Sequence, residues 1–226
     1  MINTKPDTIQ QLGELFWKLS DAEKRIAVSL YRLLALGETV RVSELAQKTS
    51  IAEAIVEDQL ARWPGVFRDS EGRVEGFWGL TVRPMKHQLI IEGRLLYAWC
   101  AWDTLFIPLI LKQTAEVRSA CAATGEEISL AVGPQGLVSL RPASAVVSFV
   151  IPHGVDWSRQ ILTNFCHWVH FFRDRGAGLS WATGRDGAFV LSAADAFQAA
   201  RLKVEYEYGD EARGQRWAAG AVFATE

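Results

Sequence analysis

The chain has 226 residues, 49% of them apolar and 22% charged, with a formal net charge of −2. That length suits one large domain or two small ones, and the near-neutral balance gives no electrostatic pull toward nucleic acid. No apolar run approaches the ~18–20 residues that cross a bilayer, and Met1 to Asp7 lacks the basic and apolar regions of a signal peptide, so a cytoplasmic protein without a membrane partner is expected.

Residues 8–19 carry Ile9, Leu12, Leu15, Phe16 and Leu19 at helical spacing. Ser20-Asp21-Ala22-Glu23 then reads as a capping box for a second helix, bearing Ile26, Leu30, Leu33 and Leu34 and stopping at Gly37. A short helix capped by Ser43 (Glu44 to Lys48), a turn at Thr49-Ser50-Ile51 and a helix from Ala52 to Arg62 give a helix-turn-helix pattern. The β-rich flanks of Ser70-Glu71-Gly72, between Gly65 and Leu80, read as a hairpin or wing. Residues 1–82 are therefore expected to form a winged-helix-like module. Its second pattern helix sets Glu53, Glu57 and Asp58 against Arg62 alone, and acids facing a polyanion repel it, so a scaffold is expected rather than a DNA reader.

From Pro84 the pattern turns to mixed strands and helices, and 83–226 is expected to be the catalytic domain. Strands are predicted at 85–92, 116–121, 127–132 and 145–151, with a turn at 122–125. Helices are predicted at 94–111, broken at Pro108, at 156–170, and from Ser192 to Tyr206 after the turn Gly184 to Gly187 and an apolar stretch, with a frayed tail after Gly209. The fold class expected is α+β, a winged-helix-like helical module followed by a mixed domain with mainly antiparallel strands.

Three cysteines, Cys100, Cys121 and Cys166, are an odd number, and in a reducing compartment they are expected to stay thiols. Cys100 and Cys166 are embedded in aromatic sequence, and Asp103 stands three residues beyond Cys100, on one face if the segment is helical. A lone buried cysteine is more often core than nucleophile, but a carboxylate in an oily setting is costly without a partner, and that points to chemistry. Two thiolates from distant segments suit a soft metal ion, whereas a structural zinc site would call for four ligands at short local spacings. His167 and His170 are candidate ligands or second-layer donors, with packing the plainer reading.

The run Arg94-Leu95-Leu96-Tyr97-Ala98-Trp99-Cys100-Ala101-Trp102-Asp103-Thr104-Leu105, then Cys121-Ala122-Ala123-Thr124-Gly125, then Phe165-Cys166-His167-Trp168-Val169-His170-Phe171-Phe172, resembles the alkylmercury (organomercurial) lyase family in content and order. The resemblance implies Cys100, Cys166 and Asp103 as the catalytic set, the two cysteines holding mercury as substrate and product, with Cys121 structural. It implies no organic cofactor, and as partners an organomercurial substrate, external small thiols and mercuric reductase as an acceptor of Hg(II). Some relatives carry a second cysteine directly after the catalytic one, where this chain has His167. Trp99, Trp102 and Phe165 are expected to wall an apolar substrate pocket.

The chemistry can be argued on its own ground. Two thiolates donating to mercury make its carbon more carbanion-like, and a nearby acid can then protonate that carbon. Asp at ~3.9 and Cys at ~8.5 are badly matched for exchanging a proton in water, so burial must narrow the gap. The competing expectation is a winged-helix mercury sensor that binds the same ion through the same thiols and regulates transcription.

Overall fold

A computed structural model describes residues 5–151 and 164–209. Helix α1 (Lys5–Gly13) ends where the chain crosses the last helix so closely that a Cβ on Gly13 would lie 2.5 Å from Leu202 Cβ. The helix expected over 8–19 thus stops early, and residues after Gly13 continue without helical structure to Ser20. Helix α2 (Asp21–Leu34) starts at the expected capping box: the Ser20 N–H donates to Glu23 Oε2 (2.8 Å) and the Glu23 N–H to Ser20 Oγ (3.4 Å). Its buried stripe is Ile26, Ala27, Leu30, Tyr31 and Leu34. Helices α3 (Val42–Thr49) and α4 (Glu53–Arg62) follow, with Arg41 rather than Ser43 at the N-cap of α3.

An antiparallel sheet has the order β1-β2-β3-β5-β4-β6-β7-β8. Its strands are β1 (Val66–Arg68), β2 (Val74–Phe77), β3 (Leu80–Thr81), β4 (His87–Ile91), β5 (Arg94–Ala98), β6 (Ala115–Ala120), β7 (Glu127–Gly133) and β8 (Gly136–Arg141). The β1–β2 hairpin continues through β3 into β5, with Leu80 opposite Ala98, so residues on both sides of position 82 share one sheet. A second sheet places β9 (Val146–Val150) between β10 (Phe171–Phe172) and β11 (Ala188–Ser192). Helices α5 (Asp103–Leu111), α6 (Arg175–Ala182) and α7 (Ala193–Tyr208) complete the described residues, and α7 packs against both α1 and α5. The architecture is α+β with mainly antiparallel strands. One continuous apolar core runs through it, with Trp102, Tyr31, Phe77, Phe149 and Phe165 among its largest fully buried side chains.

One expected helix is corrected at its start and another at its end, where Asn164 is still α-helical but the residues after it are not. Residues 94–98 are strand β5, reached from β4 by a tight turn in which Glu92 (φ 50°) and Gly93 (φ 77°) both take positive φ, the geometry that matches a hairpin's twist. The helix begins only at Asp103 and runs through Pro108 instead of breaking there. Of the helix expected over 156–170, residues 156–163 lie outside the described residues, while Cys166–Trp168 is a single 3-10 turn that leads into β10. Ser148 on β9 holds that segment extended, its hydroxyl donating to Trp168 O (2.8 Å) and accepting the His170 N–H (3.0 Å). The tail after Gly209 also lies outside the described residues. Strand β8 and helix α6 had no counterpart in the sequence reading.

Candidate active site

The two cysteine segments are joined by backbone. The Ala101 N–H donates to Val169 O (3.2 Å), which ties the turn after β5 to the segment that carries Cys166. Cys100 lies in the turn between β5 and α5, not on a helix, so its spacing to Asp103 works differently from the shared helical face expected. Asp103 opens α5 and folds its carboxylate back, accepting the Cys100 N–H on Oδ2 at 2.8 Å. A carboxylate at a helix N-terminus also gains from the unpaired N–H groups there. Cys166 Sγ lies 4.0 Å from the same oxygen.

One donor atom from each of Cys100, Asp103 and Cys166 falls within 4.8 Å of the others. A metal–thiolate bond is about 2.3 Å long, as for zinc, so sulfurs at that spacing can bracket one ion. All three residues are buried, at 1%, 4% and 5% exposure, and all three cysteines of the chain are free.

Burial raises the Asp103 carboxyl to about 7, against opposing pulls from hydrogen bonds with Cys100 and from the charge of Lys203. Burial also pushes the Cys100 thiol well above its ordinary value, helped by the Cys166 hydrogen bond and the Asp103 charge. For Cys166 the hydrogen bond from Cys100 lowers the value, but burial and the Asp103 charge prevail and it too is raised. The resting site therefore favours neutral thiols, and a carboxyl that titrates near neutrality is poised to exchange a proton with them.

A small, largely apolar cavity opens onto Asp103 and Cys166. Trp102 and Phe165 line it, and Trp102 is pinned by its indole N–H donating to Ala196 O (2.9 Å). Trp99 faces elsewhere, packing edge-on against Phe67 at 5.1 Å and lying outside the cavity lining. Cys121 sits apart from the site at its turn, where the Arg173 N–H meets its sulfur at 3.4 Å. Burial raises its thiol, but a hydrogen bond with Thr124 and backbone N–H groups outweigh that and lower it overall. His170 packs edge-on against Trp181 (5.6 Å), burial lowering its imidazole to about 4, and His167 lies edge-on to Trp168; neither joins the thiol and carboxylate cluster.

The remaining wall comes from both ends of the described chain: Phe16, Trp17 and Leu19 from the N-terminal side, Trp78 and Gly79 from the β2–β3 turn, Phe106 from α5, and Lys203 with Glu207 from α7. The sequence reading missed these residues. One signal was available, since Lys203 and Glu207 stand at i, i+4 spacing on a helix face otherwise rich in alanine, with Phe197, Val204 and Tyr208. Gly79 has φ +99°, and a Cβ there would sit 2.5 Å from Asp103 Cγ, so only glycine lets the carboxylate occupy its place.

Two buried thiols and a carboxyl beside an aromatic-walled cavity of an α+β fold form a donor set of the kind that suits a soft metal ion. Residues 80–205 match the family model described as alkylmercury lyase. The alkylmercury lyase of Bacillus cereus is 40% identical over 186 residues, covering 82% of this chain and 84% of that protein, and the alkylmercury lyase of Streptomyces lividans is 43% identical over 176 residues, covering 78% and 80%. The crystal structure titled as the mercury-bound form of MerB2 superposes with a TM-score of 0.70 at 25% identity, covering 87% of this chain and 96% of that one. The chain belongs to the alkylmercury lyase family. These likenesses do not favour the sensor reading.

Proposed function

We propose that the protein cleaves the carbon–mercury bond of alkyl- and arylmercury compounds by protonolysis, with Cys100 and Cys166 binding mercury and Asp103 moving the proton. The observation that carries this reading is the convergence of two sulfurs and one carboxylate oxygen within 4.8 Å beside an apolar cavity. With R–Hg–X, one thiol proton leaves with X and the other passes to the Asp103 carboxylate, giving R–Hg held by two thiolates with one net negative charge. The protonated Asp103 then delivers that proton to carbon as the carbon–mercury pair becomes the new C–H bond. R–H departs, Hg(II) stays on the two sulfurs, and Asp103 is again a carboxylate.

The raised carboxyl of Asp103 narrows the gap to the thiols, and mercury binding favours thiolate and so drives the proton off sulfur. The aromatic wall suits the hydrocarbon part of the substrate. External small thiols, or the cysteine pairs of mercuric reductase, are the acceptors we assign for Hg(II), and the reducing cytoplasm is the compartment that keeps the three cysteines free. The N-terminal module serves as scaffold, a role supported by its contribution of Phe16, Trp17, Trp78 and Gly79 to the cavity wall.

The test is methane release from methylmercury with excess thiol, read by gas chromatography of the headspace. Cys100→Ala, Cys166→Ala and Asp103→Ala are each expected to abolish it. Full activity in any one variant removes that residue from the mechanism.

A further inference from the structure

Helix α7 brings a buried ion pair to the cavity that contains Asp103 and Cys166. Lys203 Nζ is paired with a Glu207 carboxylate oxygen one turn on, and the two side chains are only 9% and 4% exposed. Above the pair, Phe16 and Phe106 present their rings to the ammonium, with centroids 4.3 and 4.9 Å from Nζ. Both charges line the cavity. Such a pair is expensive to bury, and replacing it by neutral side chains is often neutral or stabilising, so its retention in a cavity wall asks for a reason beyond folding.

The proposed reaction supplies one. Between mercury capture and proton delivery the two sulfurs carry a net negative charge that no group of the catalytic trio offsets, because Asp103 is then neutral. Inside a buried, largely apolar cavity a fixed cation acts strongly on such a charge. We propose that Lys203 is a positioning residue for carbon–mercury cleavage, a fixed positive charge that stabilises the mercury-bound dithiolate before the carbon is protonated.

Glu207 holds the ammonium through its carboxylate. In the resting protein Lys203 already pulls on both Asp103 and Cys166, whereas the charge of Glu207 falls on Tyr31 and Tyr208. Both members of the pair line the cavity, and it is the cation whose charge acts on Asp103 and Cys166.

This inference rests on the lyase reading, and the experiment separates the two. Benzene release from phenylmercury with excess small thiol is followed in the full-length wild type, in Lys203→Met, in Lys203→Arg and in the double variant Lys203→Met with Glu207→Gln. Lys203→Met is expected to lose at least tenfold in kcat, equivalent to about 1.4 kcal/mol, with little change in KM because the aromatic wall remains. Lys203→Arg keeps the charge and recovers most of the rate. The double variant leaves no stranded carboxylate, so it regains thermal stability while remaining slow. A double variant that turns over like the wild type would mean the pair is merely structural and would overturn the proposal, as would Lys203→Arg as slow as Lys203→Met. A wild type that releases no benzene overturns the lyase reading itself.

Discussion

Gly79 offers a sharp test of how tightly the carboxylate is held. Replacing it with alanine puts a methyl group 2.5 Å from Asp103 Cγ, 2.6 Å from Oδ1 and 2.9 Å from Cβ. Carbon atoms in ordinary contact sit about 3.5–4.0 Å apart, so the Asp103 side chain must move by roughly 1 Å. Misplacing a catalytic group by that much costs on the order of 100-fold in rate. Positive φ in a residue with a Cβ adds about 1–2 kcal/mol of backbone strain, worth roughly 2–8 °C in Tm for a chain of this size. Gly72→Ala is the control, because Gly72 has φ +78° and nothing within 4 Å of its added Cβ. Both variants should melt lower than the wild type, and only Gly79→Ala should lose turnover in the phenylmercury assay. If Gly79→Ala keeps wild-type turnover, the argument that this glycine sets the carboxylate's position is refuted.

Two further outcomes follow from the electrostatics and packing. The Asp103 carboxyl titrates near 7 in the folded protein against an ordinary 3.8, so folding takes up a proton between those values and the native state loses stability as pH rises through that window. Asp103→Asn should therefore be more stable than the wild type by an amount that is small near pH 4, grows through pH 7 and levels off above it. The ceiling is about 4 kcal/mol, and urea melts at pH 5 and pH 8 will check the sign; an equal gap at both values would contradict the burial argument. Cys121→Ala should retain methane release but lose about 1–2 kcal/mol of stability with its hydrogen bonds to Thr124 and the Arg173 N–H, measured by chemical denaturation.

Cys100, Asp103 and Cys166 stood out in the sequence as thiols and a carboxylate among aromatics, the family resemblance grouped them, and the fold brings their ligand atoms within 4.8 Å of one another. The secondary structure around Cys100 was not legible in the sequence. In Leu95-Leu96-Tyr97-Ala98-Trp99 every residue is apolar, so the alternation that betrays a strand is invisible, although Leu95 is 48% exposed and Leu96 fully buried. The Glu92-Gly93 turn was the cue that could have separated strand from helix. Phe165 to His170 misled for a different reason: its extended course is imposed by Ser148, a residue far off in sequence. Trp99 and Trp102 show the same limit. Three residues apart and chemically alike, they point to opposite sides of the turn, one to Phe67 and the other to the cavity. Lys203 and Glu207 lay more than thirty positions from any cysteine, and only the packing of α7 against α1 and α5 brings them in.

That the cavity is walled by residues near both ends of the described chain bears on how the protein is made. Synthesis proceeds from the N-terminus, so the eight-stranded sheet and both thiol segments leave the ribosome before α7 does. A chain halted short of Lys203 would lack the two charged residues that complete the cavity wall. The chamber is thereby closed only when α7, among the last described residues to be made, packs against α1 and α5.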